Sequence, residues 1–340
     1  MQAPDLKRDP LLYDFEMPLQ ATYYPCGFSL EITTNSPEVL AAAEESWGHF
    51  RKIFSEPPLQ IRIGVLDGGP AESPAVQVIR QQRGLLVRVA DAENFSVSDM
   101  NHGFAFVWLT RAAVENRGYL RWHFIEGVAW DLLARYLTPV HAGCVRFEDH
   151  GVLLCGESRA GKSSLAFACA QKGWTYVADD GCCIVRGRQG RMVVGNPYQI
   201  RFRESAVELF PELKNRRLAR NAIGEMALEV PTASLPEIRT TTHSLVDYII
   251  FLNREDPGPA RLLRFPRDTA LHWFEKIIFP GEKDAVEAHR ASVRQLLEAE
   301  VFELRYAHLD SAIQQLEALV RDGQQAPSAV CTAVESRDHA

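Results

Sequence analysis

The sequence lacks several things. No run of about twenty apolar residues occurs, so no helical membrane span is expected. The start, Met1-Gln2-Ala3-Pro4-Asp5-Leu6-Lys7, has no apolar signal-peptide core. No C-x-x-C pair suggests zinc or dithiol chemistry, and the seven cysteines are an odd number set mostly in apolar segments. Free buried thiols in a reducing cytoplasm are the reading that fits. There is no excess of positive charge either. The formal net charge is −7, which gives a nucleic-acid partner no general electrostatic support. No internal repeat is found. What remains is a chain of 340 residues, 46% hydrophobic and 24% charged, with globular composition and length for one large domain or two ordinary ones.

The pattern along the chain is α/β. Residues 1 to about 20 read as a loose leader. Residues up to about 115 read as a small α/β unit with no catalytic motif. Its expected strands lie within Ala21 to Thr33, Leu59 to Val65, Val76 to Ile79, Leu85 to Val89 and Phe104 to Leu109. Its helix runs from Pro37 to Phe54 with Ser36 as the cap, and Gly/Pro-rich stretches surround Gly68 and Pro74. Residues 116–322 read as a second unit. Tyr119 to Tyr136 has helical spacing ended by Pro139. Val140 to Asp180 reads strand, turn, strand, glycine loop, helix, strand. A hairpin over Ile184 to Val194 turns at Arg188-Gln189-Gly190. Leu245 to Leu252 is apolar throughout, as in a strand covered on both faces. Helices over Thr269 to Ile278, Asp284 to Glu298 and Ser311 to Val320, with a strand over Val301 to Tyr306, complete the unit. Residues 323–340 are polar and expected to be a disordered tail.

One motif carries chemistry. Gly156-Glu157-Ser158-Arg159-Ala160-Gly161-Lys162-Ser163 satisfies the P-loop pattern at every required position, with Ser164 next in line. The context fits: Val152 to Cys155 precede as a buried strand, and Ser164 to Ala170 follow as a helix. Glycines let the backbone N–H groups turn toward phosphate oxygens, and a helix N-terminus favours negative charge. Lys162 is placed to reach the β- and γ-phosphates, and the Ser163 hydroxyl to ligate Mg²⁺. Next, Tyr176-Val177-Ala178 leads into Asp179-Asp180, which places two carboxylates at a strand end facing the loop. Either is placed to hold Mg²⁺, directly or through water, and the other to accept a hydroxyl proton; both are catalytic candidates, with Asp179 also a candidate metal ligand beside Ser163. Adjacent carboxylates repel, so one is expected to carry a raised pKa. His141 precedes the P-loop strand by one strand. A lone His beside apolar residues is ordinarily a satisfied core histidine, and contact with phosphate is the alternative. Arg201, Arg203, Arg216, Arg217 and Arg220 form a cation-rich stretch. A solvated face explains most of them, and one is a candidate for phosphate. Thr240-Thr241-Thr242 reads as a polar loop, and Cys182-Cys183 as strand filler.

His141-Ala142-Gly143, the loop Gly156 to Ser163, Gly173 and Val177-Ala178-Asp179-Asp180 together resemble the catalytic domain of HPr kinase/phosphorylase and its relatives. The intervals from His141 to Lys162 and from Lys162 to Asp180 match without a gap. The resemblance is specific over roughly Pro139 to Asp180, weaker to Val320, and absent from the first 115 residues. It implies a P-loop kinase fold related to ATP-type phosphoenolpyruvate carboxykinase, and serine-hydroxyl phosphorylation with Mg-ATP. It implies Asp180 as the proton acceptor, Lys162 and His141 as further active-site residues, and Ser163 as a metal ligand. Departures exist. Arg159 stands where the family commonly has Gly, and Ser164 where it has Glu. The later Leu-Glu-Ile-Arg-Gly signature is replaced by Tyr198-Gln199-Ile200-Arg201-Phe202, which separates this chain from the phosphorylase reaction and from HPr as substrate. It looks more like the HPr-kinase-related group, some of which accompany peptide-modification systems.

The leading reading is therefore a cytoplasmic ATP-dependent kinase acting on a serine or other hydroxyl of a protein or peptide, with no nucleic-acid or membrane partner. Homo-oligomer formation is left open. The alternatives are a nucleotide-binding regulatory module with little or no turnover, and a small-molecule kinase.

Overall fold

A computed structural model describes residues 15–67, 77–187, 190–216, 218–220, 226–254, 258–276 and 283–325. The leader before residue 15, the Gly/Pro-rich stretches, the hairpin tip at Arg188-Gln189, Arg217 and the tail after Gln325 lie outside the described residues.

The chain folds as mixed α/β layers around two large sheets. The first has seven strands in the order Leu19–Tyr23, Leu30–Thr34, Leu59–Leu66, Phe104–Thr110, Phe95–Asp99, Leu85–Val89, Val78–Gln82. Leu59–Leu66 is parallel to both neighbours, and the remaining pairs are antiparallel. Its buried positions alternate, as in Leu59, Ile61 and Ile63, so one face packs against helix Pro37–Trp47 and the helical stretch from Arg117 to Leu133. That stretch contains a π-helical turn, Leu120–Glu126, and buries Leu120, Phe124, Val128 and Leu132. The first core thus continues past residue 115 to Leu137 and takes in Cys183, Val185 and Val194.

Three local expectations change. The first helix ends at Trp47, not Phe54, because the N–H groups of Ile53 and Phe54 donate to the Gly27 carbonyl, which draws this segment off the helix axis. Ser36 stands at the cap position in extended conformation, but its hydroxyl donates to the Glu38 carboxylate at 2.6 Å instead of capping the backbone. Pro139 does not end the helix: it lies in the strand Leu137–Val140, which forms a sheet edge, where a missing N–H is tolerated.

The second sheet is organised by one strand, His243–Asn253, of 11 residues. Along one side it pairs in parallel with His150–Cys155. Along the other it forks. Its first residues pair with Met192–Gly195, which continues antiparallel to Cys182–Val185 and Leu137–Val140. Its later residues pair in parallel with Glu300–Arg305. Beyond His150–Cys155 the sheet runs through antiparallel Ala142–Phe147 to Thr175–Ala178. Helices Lys162–Gln171 and Leu309–Gln325 cover one face around Phe167, Trp174 and Leu316. Arg267–Glu275 and Lys283–Leu296 cover the other around Phe274, Val293 and Leu296. A separate three-stranded antiparallel sheet, Gln199–Phe202, Met226–Pro231 and Leu218–Arg220, packs beside the first of these layers. No helix of the described residues is long and apolar enough to cross a membrane. The six described cysteines are free and buried.

Gly151 is the second residue of the strand that leads to the glycine loop, and the register with His243–Asn253 shifts between it and Val152. A Cβ there would stand 2.1 Å from the Leu245 carbonyl oxygen. Gly151→Ala is expected to cost about 1–3 kcal/mol in denaturant unfolding. Gly118→Ala, whose Cβ would meet only Asn116 at 3.9 Å, is expected to be neutral or to stabilise by up to about 1 kcal/mol. Equal effects at the two positions would contradict the packing described.

Candidate active site

The strand His150–Cys155 is buried from Gly151 onward and delivers the chain into the loop at Gly156. Two glycines shape the turn. Gly156 has φ 152°, and a Cβ on it would lie 2.8 Å from that of Ala160. Gly161, at φ 96°, starts helix Lys162–Gln171 without a capping side chain. A Cβ there would stand 3.0 Å from the Tyr306 hydroxyl. The first helical turn, Lys162-Ser163-Ser164, thus begins with backbone donors that no N-cap side chain takes. Arg159, at the loop crest, adopts φ 74°, a left-handed conformation that favours glycine.

Lys162 is 5% exposed and folds back into the loop. Its ammonium donates to the Gly156 carbonyl at 2.9 Å and to the Glu157 carbonyl at 3.3 Å. It also lies 3.1 Å from His141 Nε2 and 3.4 Å from Asp180 Oδ1. An ammonium only donates, so Nε2 is the acceptor in this contact and Nδ1 is the ring nitrogen left to donate. That nitrogen faces Asp180 Oδ1 at 3.4 Å. His141 thus joins Lys162 and Asp180 as a linker, and is not a core histidine. The structure brings His141, Lys162 and Asp180 together from three separate segments.

The two aspartates do not face one point. Asp180, half-exposed, turns to Lys162 and His141. Asp179, expected to be a magnesium ligand, is buried, and its Oδ2 accepts from the Arg201 N–H at 2.8 Å. Burial pushes the Asp179 carboxyl up to about 6, against the opposing Arg201 hydrogen bond, with the neighbouring Asp180 charge adding to the rise. The expected raised carboxylate is present, with desolvation ahead of repulsion as its cause. Gly143 makes this packing feasible: a Cβ there would meet the Asp179 carbonyl oxygen at 2.8 Å.

Other groups complete the rim. Among the arginines singled out from sequence, Arg203 reaches the loop, donating to Ser158 Oγ at 3.2 Å. Arg201 pairs with Glu229 and lies over the Trp122 ring. Trp273 Nε1 donates to Glu157 at 3.3 Å, and the Tyr306 hydroxyl to the Ala160 carbonyl at 3.5 Å. No sequence signal pointed to Trp273 or Tyr306. The Tyr198–Phe202 segment, noted only as a degenerate signature, proves to adjoin the site through Arg201. Among the described residues, no group of three or more His, Cys, Asp or Glu side chains is arranged to hold a metal ion.

No family model matches the chain, and no curated protein matches it. Among solved structures it is similar to the Hpr(Ser) kinase/phosphatase from Coxiella burnetii, at 17% identity, over 55% of this chain and 96% of that chain, with a TM-score of 0.30. A likeness of that size carries no argument about activity.

The Asp179 pKa has a consequence for stability. The folded value, about 6, lies above the ordinary value of 3.8. The native state therefore holds an extra proton between those values, and stability falls as pH rises from about 4 to 6. Asp179→Asn keeps an acceptor for the Arg201 N–H but buries no charge. It is expected to be more favourable at pH 7.5 than at pH 4 by about 1–3 kcal/mol in denaturant midpoints. The same difference at both pH values would contradict the assignment.

Proposed function

We propose that the chain is an ATP-dependent phosphotransferase that moves the terminal phosphoryl group to a hydroxyl, with a serine of a protein or peptide as the acceptor class. The observation that supports this best is the convergence of Lys162, His141 and Asp180 at a glycine loop that opens a helix. The loop residues fit a polyphosphate. Side chains at Gly156 and Gly161 would fill the turn, no side chain caps the helix, and Lys162 supplies a buried positive charge. A pure binding module has use for the first three features. It has no need of a solvent-accessible carboxylate held beside the lysine.

In this reading Gly156 to Ser164 cradle the phosphates, and Ser163 offers its hydroxyl to Mg²⁺. The ion, when bound, would neutralise phosphate charge. Lys162 exchanges the Gly156 and Glu157 carbonyls for phosphate oxygens. Asp180 takes the acceptor proton as the hydroxyl oxygen bonds to phosphorus. The bond from phosphorus to the bridging oxygen breaks at the same time, and its electron pair leaves with the diphosphate. His141 holds Asp180 in place through Nδ1–H. Asp179, tied to Arg201, anchors the turn that presents Asp180.

Labelled ATP offered with candidate peptide acceptors tests the reading. Lys162→Ala is expected to reduce turnover at least about 100-fold. Asp180→Asn is expected to lower transfer by about 10²–10⁴ while Mg-ATP affinity stays near that of the parent protein. An affinity loss rescued by excess Mg²⁺ would move Asp180 to the metal. Full activity in Asp180→Asn would defeat the kinase mechanism and favour the regulatory-module reading.

A further inference from the structure

We infer that Arg203 is the charge-stabilising residue for phosphoryl transfer, an arginine supplied by the chain to its own loop. The inference rests on the nucleotide reading of that loop. Arg203 lies immediately after strand Gln199–Phe202 and 45 residues from the loop residue it touches, Ser158, so tertiary packing brings it there. Two anchored residues lead directly into it. Two residues earlier the Arg201 N–H binds Asp179 at 2.8 Å. One residue earlier, buried Phe202 packs edge-on against Phe167 of the loop's own helix, with ring centroids 5.1 Å apart. The guanidinium is exposed, and among the described residues no carboxylate pairs with it.

That combination is unusual for its neighbours. Arg201 is engaged by Glu229 at 3.3 Å and by the Trp122 ring. Arg203 spends one donor on a neutral hydroxyl and keeps the rest of its planar fork for an anion. Lys162 binds the carbonyls of Gly156 and Glu157, and Arg203 binds the next residue, Ser158. Two cations from different elements thus meet on consecutive loop residues. During transfer the acceptor oxygen–phosphorus bond forms, the phosphorus–bridging oxygen bond breaks, and negative charge gathers on the oxygens of the departing diphosphate. A guanidinium anchored on the loop helix neutralises that charge without reorganising.

The test compares binding of Mg-ADP with that of Mg-ADP plus aluminium fluoride, a mimic of the transferring phosphoryl group, by calorimetry on the full chain. It needs no acceptor. In Arg203→Ala, affinity for the aluminium fluoride complex is expected to fall about 100-fold, while Mg-ADP affinity changes less than about 3-fold. Guanidinium ion added to the variant is expected to restore part of the loss. A circular dichroism melt matching the parent's excludes unfolding, and Arg203→Lys provides a second variant should the first melt early. Equal losses on both ligands, or no loss on either, would overturn the role of Arg203 and leave the nucleotide reading intact. A parent protein that binds neither ligand would overturn the nucleotide reading itself.

Discussion

A lysine ammonium with almost no solvent exposure is the constraint on which this site is built. Removing such a charge from water costs several kcal/mol unless well-placed acceptors and an opposite charge offset it. Lys162 is satisfied by two loop carbonyls, by the acceptor nitrogen of His141 and by the Asp180 carboxylate. Each partner comes with a structural demand. The Gly156 and Glu157 carbonyls must point inward, which needs the glycine-bounded turn. His141 must lie in the one-residue link between two strands, and Asp180 must follow a strand that runs alongside. The loop, the His-Ala-Gly segment and the Asp-Asp turn are therefore one arrangement, although they are spread over about forty residues. The same ammonium that closes the loop on itself is the group a phosphate would compete for.

The segment from Tyr198 to Arg203 gives the first sheet a part in that arrangement. Its Tyr198 hydroxyl donates to the His49 carbonyl at 2.8 Å, and its ring packs edge-on against Phe50. Arg201 lies over Trp122, in the π-helical turn of the helical stretch that covers the first sheet. The backbone of the same segment then holds Asp179, and Arg203 touches the loop. Six residues thus tie the core of the first sheet to both sides of the glycine loop. π-helical turns are rare and recur at functional sites, and Trp122 lies within one here.

Much of this was legible in the chain. The strands at Leu59, Leu85, Phe104, Leu245 and Val301 were readable because apolar periodicity survives whatever packs on it. The glycine loop was readable because its residues match a pattern of fixed spacing, and Gly156 and Gly161 do take the positive φ that such a turn needs. What could not be read depended on contacts from elsewhere. The helix that stops at Trp47 stops because Gly27, twenty residues earlier, takes the following N–H groups. Two adjacent aspartates look equivalent until Arg201 claims one of them. Arg203 was one cation among five, separated from the others only by where the three-stranded sheet ends. Arg159, where the resembling family has glycine, sits in the left-handed conformation that explains the glycine without explaining its loss here.

Hydrogen–deuterium exchange, with and without millimolar Mg-ATP, tests most directly whether this loop is a nucleotide site. Exchange is expected to slow in peptides covering Gly156 to Leu165, where backbone N–H groups would bind phosphate, with weaker protection at Asp180 and at Arg201 to Arg203. Unchanged exchange over Gly156 to Leu165, or protection confined to a distant surface, would contradict the nucleotide site.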